Sequence, residues 1–353
     1  MGAQRDLVSK SRLIDDSGLK SRLVDAFTRW EVLLLIIFIV MAVFFSNASP
    51  YFLDMFNLMN ATFQFSEKAI MALPMIFIIM CGDIDISVAS IIALSAFSMG
   101  TASEAGMGIA AIILIGLAVG ILCGLINGLL ITGLDIPAVA VTLATQSIYR
   151  GISKAVLEEH ACTTYPEGFG FFGQEFIPGT IIPFSLVLYI VLAAVMGFIL
   201  HKTTYGRKIY AIGNSAEAAR FCGIKVNRVK IINYALMGLF SGIAAVLLTS
   251  RIFSVRSNIA TNYDMEVITL VVLGGVSING GKGNMIGVVI ATFLVGYLKF
   301  GMGLLKLSST VMTIVIGSLL IIAVLLPRLL DLYKGNRKLR RQQGEALAES
   351  HQE

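Results

Sequence analysis

Residues 107–132 read MGIAAIILIGLAVGILCGLINGLLIT, a run of 26 residues without a charged side chain. A helix needs about 20 consecutive apolar residues to cross a bilayer, so this stretch is long enough to span one. Four glycines recur every four residues and therefore share one helix face, namely Gly116, Gly120, Gly124 and Gly128. Such a strip lets a second helix approach at backbone distance, which predicts close packing inside a helical bundle, with a dimer interface as the alternative.

The composition of the whole chain agrees with a membrane protein. Of its 353 residues, 56% are hydrophobic and 14% are charged, and the mean hydropathy is +0.84. Globular domains carry about 25% charged residues, so a soluble enzyme is excluded. We predict an all-α polytopic bundle of ten membrane helices, at approximately 30–48, 66–82, 85–103, 107–132, 137–156, 182–201, 231–250, 264–277, 284–304 and 308–327.

The distribution of basic residues predicts the topology. Most of the 27 Lys and Arg residues lie before residue 30, between 201 and 230, or from 328 onward, whereas residues 155–182 contain none and carry four glutamates. Cytoplasmic loops carry the excess of basic residues, so both termini and the loop 202–230 are predicted to be cytoplasmic and the loop 157–181 external. The net charge of +5 then reflects topology, and nucleic-acid binding is not expected.

The cysteines and histidines show no metal or disulfide signature. Two of the four cysteines lie in apolar runs and two in loops on opposite sides, without a CxxC pair. The histidines at 160, 201 and 351 are scattered along the chain and are interpreted as surface residues. We therefore expect no metal site.

Asp83 and Asp85 interrupt the apolar sequence between two predicted spans. A carboxylate at the centre of a bilayer costs about 2.5–3.5 kcal/mol. We therefore expect a turn in which Asp85 and Ser87 cap the next helix. A proton relay is the alternative interpretation.

An internal similarity links this turn to a later segment. Residues 76–97, which contain the two aspartates, and residues 268–293, which contain Gly274 and Gly275, each read as an apolar helix, a short polar break and a second apolar helix. Repeated interrupted helices are common in transporters and indicate the translocation pathway.

Two glycine-rich stretches formally match nucleotide-binding motifs. GFGFFG at 168–173 spells GxGxxG, but it lies in the predicted external loop without a preceding strand, so aromatic packing is expected there. GGKG at 280–283 lacks the spacing and the following Ser or Thr of a phosphate loop. The chain therefore has no ATP-binding signature and no catalytic residues are assigned.

The loop 202–230 is the most informative element. Asn214 or Ser215 can cap a short helix over 216–221, Glu217 lies in its first turn, and Gly223 can end it. A short cytoplasmic helix between spans is typical of a docking element, and a basic helix lying on anionic lipid is the alternative.

At this loop the sequence resembles the permease subunits of bacterial ATP-binding cassette (ABC) importers for monosaccharides. The resemblance covers about residues 30–330 and rests on GRKIYAIGNSAEAARFCGIKV (206–226), GDIDISVAS (82–90), VTL (141–143) with Arg150-Gly151, and VVLGG (271–275) with Gly280-Gly281. Within that family, which includes ribose, xylose, arabinose and rhamnose systems and the importer of a furanosyl quorum signal, it is most similar to rhamnose-type permeases. FSEKA (65–69), FGQ (172–174) and LTSR (248–251) carry this finer similarity.

The resemblance implies a multi-pass inner-membrane protein with the fold of a type II ABC importer. A permease domain at 30–328 would lie between cytoplasmic segments at 1–29 and 329–353. The implied partners are a second permease subunit, a cytoplasmic ABC ATPase that binds the ATP, an external sugar-binding protein and membrane lipid. No cofactor is expected in this chain.

The resemblance and the polar residues give candidate sites. Coupling to the ATPase is expected at Gly213, Asn214, Glu217, Ala218, Arg220 and Gly223. The candidate pathway residues, each of which could instead serve helix packing, are Asn60, Gln64, Asn127, Gln146, Asn262 and Tyr263. The structural motif comprises Asp83, Asp85, Ser87, Gly274 and Gly275.

The implied function is ATP-driven import of a monosaccharide, best matched by rhamnose. The external loops around Glu158–Glu175 and Arg251–Tyr263 would meet the binding protein. An ion-coupled secondary transporter using Asp83 and Asp85 is the alternative, and the buried charge pairs that would support it are expected to be sparse.

Overall fold

The computed structural model describes residues 30–158, 160–322 and 325. The predicted cytoplasmic segments 1–29 and 329–353, and with them two of the three basic blocks, lie outside the described residues.

The described residues form helices joined by short loops, without a β-strand, which confirms the all-α prediction. In chain order the helices are α1 (Trp30–Ala48), α2 (Met55–Thr62), α3 (Ser66–Met80), α4 (Val88–Glu104), α5 (Ile109–Gly133), α6 (Ala138–Leu157), α7 (Phe171–Gln174), α8 (Phe184–Lys202), α9 (Thr204–Asn214), α10 (Ala216–Phe221), α11 (Val226–Ile252), α12 (Tyr263–Leu273), α13 (Met285–Leu304) and α14 (Ser309–Ile322).

A helix lies in each of the ten predicted segments, but fewer can cross a membrane alone. Within the described part of the chain, 5 helices are long and apolar enough, namely α1, α5, α8, α11 and α13. A sixth crossing results if α2 and α3, which meet at 55°, count as one bent span. The number of ten crossings and the orientation of the termini therefore stay predictions.

Helix α3 lies at the centre of the bundle. Apart from the partly exposed Lys68, every residue of α3 is buried. A helix that is apolar on all sides belongs in the interior, and α3 packs against α8, α11, α12 and α13. These neighbours position the two sites described below, because both ends of α3 carry polar contacts.

The glycine strip of α5 packs against α11. A Cβ at Gly120 would meet the Gly238 carbonyl oxygen and lie 3.1 Å from the Gly242 nitrogen, and a Cβ at Gly124 would lie 3.0 Å from the Cα of Gly238. A Cβ at Gly128 would lie 3.0 Å from the Cα of Ile231. The prediction of close packing inside the bundle is confirmed, and this face is covered by α11 of the same chain.

Helix α2 was not predicted from the sequence. It is only eight residues long, too short to produce a clear apolar run. The Asp54 side chain caps it by accepting a hydrogen bond from the Asn57 N–H at 2.9 Å.

Replacing Gly124 with Ala should destabilise the bundle, because the new methyl group meets backbone atoms that cannot rotate away. We expect a loss of about 1–3 kcal/mol in the free energy of unfolding, the usual cost of overpacking. Thermal unfolding of the detergent-solubilised chain would measure it.

The matched control is Gly151→Ala in α6, where no heavy atom of the described chain lies within 4 Å of the added Cβ. Equal unfolding temperatures for the two variants would contradict close α5–α11 packing.

Candidate functional site

The loop between α8 and α11 folds into two consecutive helices, α9 and α10. The Ser215 side chain accepts a hydrogen bond from the Ala218 N–H at 3.2 Å and so caps α10. Gly223 ends this helix with φ +80°, while its N–H donates to the Arg220 carbonyl oxygen at 2.9 Å. The predicted helix 216–221 is confirmed, with Ser215 rather than Asn214 as its cap, whereas α9 was not predicted.

Helix α10, here called the coupling helix, presents most of its surface to solvent. Glu217, Ala218 and Arg220 are exposed, and Phe221 is 93% exposed. Sequence reasoning missed Phe221, although an aromatic residue at the end of a helix predicted to be cytoplasmic was a signal for it. Aromatic side chains are frequent anchors of protein–protein interfaces, so an aromatic ring this exposed makes the helix suited to dock a partner.

Gly213 connects the coupling helix to the interior. A Cβ at Gly213 would collide with the Met80 carbonyl oxygen and with the Gly281 nitrogen. The Gly281 N–H donates to that Met80 oxygen at 3.0 Å, and the Tyr210 hydroxyl donates to the Gly283 carbonyl oxygen at 2.8 Å. Only a residue without a side chain fits at 213, so the loop lies directly on two separate parts of the bundle.

These two parts are the polar breaks noticed in the sequence. The first break, 81–87, joins α3 to α4, and the second, 274–284, joins α12 to α13. The second residue of each is a left-handed glycine, Gly82 at φ +82° and Gly275 at φ +87°. In each, the glycine N–H bonds the carbonyl three residues earlier and the next N–H bonds the carbonyl five residues earlier. This shared ending is a Schellman motif, and it extends the sequence similarity to the backbone.

Position 274 requires glycine for a different reason from position 275. A Cβ at Gly274 would lie 2.5 Å from the Cα of Val288 in α13. The break therefore folds back closely onto the helix that follows it, and the GGKG stretch that resembled a phosphate loop forms part of the same contact with Gly213.

The two aspartates of the first break have different partners. Asp83 forms a salt bridge with Lys230 of α11 at 2.8 Å. The buried Asp85 carboxylate accepts hydrogen bonds from the N–H of Ser87 at 2.9 Å and from its hydroxyl at 2.6 Å. Ser87 is the N-cap residue of α4, but its side chain serves Asp85 and makes no capping bond.

Asn127 extends this network into α5 and α6. Its side-chain N–H donates to the Ser87 hydroxyl at 2.7 Å, and the Tyr149 hydroxyl donates to the side-chain oxygen Oδ1 of Asn127 at 3.4 Å. Asn127 is completely buried. It therefore joins three helices here, and among the described residues the structure gives no hydrogen bond between Asn127 and any other candidate pathway residue.

A second polar site lies at the opposite end of α3 and α11. We call Glu67, Lys68, Arg251, Glu266 and Lys299 the charged cluster. Arg251 donates to Glu67 at 2.7 Å, and Lys68 and Lys299 both lie 2.7 Å from the same oxygen of Glu266. The Lys68 ammonium also lies 4.3 Å from the centre of the Tyr263 ring, a cation–π geometry.

Part of the charged cluster is exposed at the surface of the chain, although its members lie in helices. The Lys299 and Glu266 side chains keep 25% and 26% of their surface exposed. Charged groups in membrane segments avoid lipid and face a bundle interior, an aqueous cavity or a partner. This surface therefore requires water or a second protein subunit beside it.

The other candidate pathway residues differ in whether they contact this cluster. Tyr263 belongs to it through Lys68, and Gln146 donates to Asp264, the next residue, at 3.3 Å. Asn60, Gln64 and Asn262 are exposed, and the structure gives no side-chain bond that ties them to the charged groups.

The three short segments on which the resemblance to rhamnose-type permeases rests meet at the charged cluster. FSEKA supplies Glu67 and Lys68, and LTSR supplies Arg251. FGQ supplies Gln174, whose side chain donates to the Arg251 carbonyl oxygen at 2.8 Å. The expectation of sparse buried charge pairs was wrong, because pairs of residues far apart in sequence form here and at Asp83.

The predicted external loops also come together. Cys162 and Val255 form an isolated antiparallel bridge. In the GFGFFG stretch, Phe169 stacks on Tyr165 with ring centres 5.1 Å apart, and it meets Phe253 edge-on at 6.3 Å. Aromatic packing was the expected role of this stretch and is confirmed.

The comparisons with known proteins identify transport permeases. The family model described as "Branched-chain amino acid transport system / permease component" matches residues 57–325. The ribose import permease protein RbsC of Bacillus subtilis (strain 168) is 36% identical over 291 residues, which cover 82% of this chain and 90% of that protein.

Two further relatives are autoinducer 2 import system permease proteins. LsrD of Photorhabdus laumondii subsp. laumondii is 37% identical over 300 residues, 84% of this chain and 90% of that protein. LsrD of Escherichia coli (strain K12) is 37% identical over 300 residues, 84% of this chain and 91% of that protein. No solved structure gives a significant match.

Replacing Lys230 with Met should destabilise the protein by leaving the Asp83 carboxylate without its partner. Breaking a fully buried pair costs about 3–5 kcal/mol. We expect a smaller loss, about 2–3 kcal/mol, because some Lys230 surface is exposed. The double variant Asp83→Asn/Lys230→Met should recover most of it, as measured by thermal unfolding in detergent.

Lys225→Met serves as the control, since Lys225 is an exposed basic residue of the same loop. If the double variant is no more stable than Lys230→Met, then loss of the Asp83–Lys230 salt bridge is not the cause of the destabilisation.

Proposed function

Because the chain belongs to the family of permease subunits of ABC importers for monosaccharides, we propose that it forms one half of the membrane pathway of an ATP-driven importer of rhamnose. The chain is a multi-pass protein of the inner membrane. Separate cytoplasmic subunits would bind and hydrolyse ATP, so this chain is proposed to be a permease and not an enzyme. An external binding protein would deliver the sugar, and a second permease subunit, a copy or a paralogue, would complete the pathway.

The contact of Gly213 with both breaks is the observation that carries this proposal. The coupling helix offers an exposed aromatic anchor and two charged groups, Glu217 and Arg220, to an ATPase. Gly213, near the end of the preceding helix α9, lies against Met80 and Gly281 without intervening side chains. A displacement of the docked ATPase would therefore move the ends of α3 and α12 together, which is the motion that alternating access requires.

The six expected coupling residues divide into two roles in this proposal. Asn214, Glu217, Ala218, Arg220 and Gly223 are exposed and would face the ATPase. Gly213 is half-buried and would transmit the movement.

The charged cluster is proposed to border the sugar pathway. Its exposed groups and the Tyr263 ring offer hydrogen-bond partners and an aromatic face to a hydroxylated ligand, a combination typical of small-molecule sites. Rhamnose is proposed over ribose because FSEKA, FGQ and LTSR, which resemble rhamnose-type permeases, supply this region. The named relatives import ribose and autoinducer 2, so ribose is the competing substrate.

An ion-coupled secondary transporter is the alternative function, and the number of buried charged groups favours it. Against it, Asp83 is paired with Lys230 and Asp85 is bonded by Ser87. Both carboxylates therefore have structural partners.

Replacing Phe221 with Ser should weaken ATPase binding. A central aromatic anchor contributes about 2 kcal/mol or more to an interface, so the dissociation constant should rise about 30-fold. Co-purification and titration of the ATPase against the permease in nanodiscs would measure this change.

Cys222→Ser is the matched control, because Cys222 is the next residue and is also exposed. Unchanged ATPase affinity in Phe221→Ser would argue against docking at this end of the coupling helix.

The transport function is tested by uptake into proteoliposomes that contain the chain, its ATPase and its binding protein. We expect ATP-dependent uptake of labelled rhamnose, with ribose competing weakly. Rhamnose uptake driven by an ion gradient without the ATPase would overturn the importer assignment, and ATP-dependent uptake of ribose alone would overturn the substrate.

Lys68→Met provides a residue-level test in the same assay. Lys299 still neutralises Glu266 in this variant, so the chain should fold and bind the ATPase, while uptake falls at least tenfold, or about 1.4 kcal/mol. Lys154→Met, at an exposed position of α6, is the control. Normal uptake by Lys68→Met would place the pathway elsewhere.

A further inference from the structure

Three metal-ligating side chains of different chemistry converge beside the end of α4. They are Glu104, the last residue of that helix, and His160 and Cys162 of the predicted external loop. His160 Nε2 lies 3.0 Å and 3.3 Å from the two Glu104 carboxylate oxygens. One ligand atom from each of the three residues lies within 4.8 Å of the others. From the sequence, His160 is interpreted as a surface residue and no metal site is expected. Glu104 lies 56 positions away from it in the chain, so no local motif joins the two.

The backbone holds Cys162 firmly in this place. Its N–H donates to the Val255 carbonyl oxygen at 3.1 Å, and its carbonyl accepts from the Val255 N–H at 3.0 Å. Beneath it, a Cβ at Gly100 would lie 2.7 Å from the Cys162 Cβ, so the absence of a side chain at 100 lets the loop press against α4. The Ser103 hydroxyl fixes the loop again by donating to the Thr164 carbonyl oxygen at 2.6 Å.

The mixture of sulfur, imidazole and carboxylate ligands selects the class of metal. A thiolate and an imidazole favour zinc and similar transition metals, whereas Mg²⁺ and Ca²⁺ take oxygen ligands. Zinc bonds of about 2.0–2.3 Å place tetrahedral ligand atoms roughly 3.5 Å apart. The exposed His160 side chain can reach that spacing by rotating, because only Cys162 is fixed by packing.

The position of Glu104 gives a second reason to expect a cation. The negative end of a helix dipole disfavours a carboxylate in the last turn and favours a positive charge. The last turn of α4 carries Glu104 and no basic residue. A divalent cation bound there would compensate both the carboxylate and the helix end.

We propose that Glu104, His160 and Cys162 bind a zinc-class divalent cation, with a fourth position left to water. The bound metal ties the loop 157–181 to the end of α4 and, through Cys162 and Val255, to the loop that follows α11. The site uses no residue of the coupling helix or of the charged cluster. It therefore stands independently of the proposed transport function.

The test uses the full chain in detergent and Co²⁺ as a spectroscopic substitute for Zn²⁺. We expect one Co²⁺ per chain, with a thiolate-to-cobalt charge-transfer band in the near ultraviolet that Zn²⁺ abolishes by displacement. Cys162→Ser should remove the band. His160→Ala should weaken Co²⁺ binding at least tenfold, a loss already seen when only an outer-shell partner of a metal ligand is removed.

Cys222→Ser is the matched control and should keep the band, because Cys222 lies beyond the coupling helix and is exposed. Comparison of the metal-free unfolding temperatures shows whether Cys162→Ser still folds, and His160→Ala provides the second variant if it does not. A wild-type chain without the band, a band that persists in Cys162→Ser, or a band lost in Cys222→Ser would overturn the proposal.

Discussion

The contact among Met80, Gly213 and Gly281 is the interaction on which the arrangement of this protein depends. Three segments distant in sequence meet there through backbone atoms alone, and a side chain at Gly213 would separate them. Backbone groups freed by a helix break need partners inside the protein, since lipid offers none. The Gly281 N–H and the Met80 carbonyl satisfy each other, so this hydrogen bond helps to hold the two breaks side by side. The coupling helix is positioned as a consequence.

Charge compensation is the second constraint. Burial of an unpaired charge is expensive, and the buried carboxylates near α3 are paired or hydrogen-bonded. Glu67 and Asp83 lie just inside and just beyond the two ends of α3, and both pair with α11, through Arg251 and Lys230. Glu266 instead connects α12 to α3 and α13, through Lys68 and Lys299. The salt bridges therefore define which helices are held together at each end.

Local signals in the sequence were sufficient for much of this fold. The apolar runs located the long helices, the four-residue glycine spacing identified the face that meets α11, and capping residues located α10 to the residue. The similarity of the two breaks was also visible, because it depends on glycine and short polar stretches. Helices α2, α7 and α9 were missed, since short helices with mixed polarity lack a periodic pattern.

The sites were harder to predict because their members are distant in the chain. Lys230 and Asp83 are 147 positions apart, and Arg251 and Glu67 are 184 apart. No spacing rule connects such pairs, so the sequence showed the charged residues but not their partners. Phe221 was missed for another reason, because a sequence shows an aromatic residue but not that its ring is exposed.

The same contacts indicate where the bundle can change shape. Helices α3 and α11 are paired at both ends by salt bridges, and α5 packs against α11 through the glycine strip, so these three helices form one block. Helices α12 and α13 meet this block through Lys68–Glu266 at one end and Gly281–Met80 at the other. A relative movement of the two groups would have to break this salt bridge and this hydrogen bond. Gly213 contacts Met80 on one side of that boundary and Gly281 on the other. The coupling helix is therefore located where a small displacement would act on both groups at once.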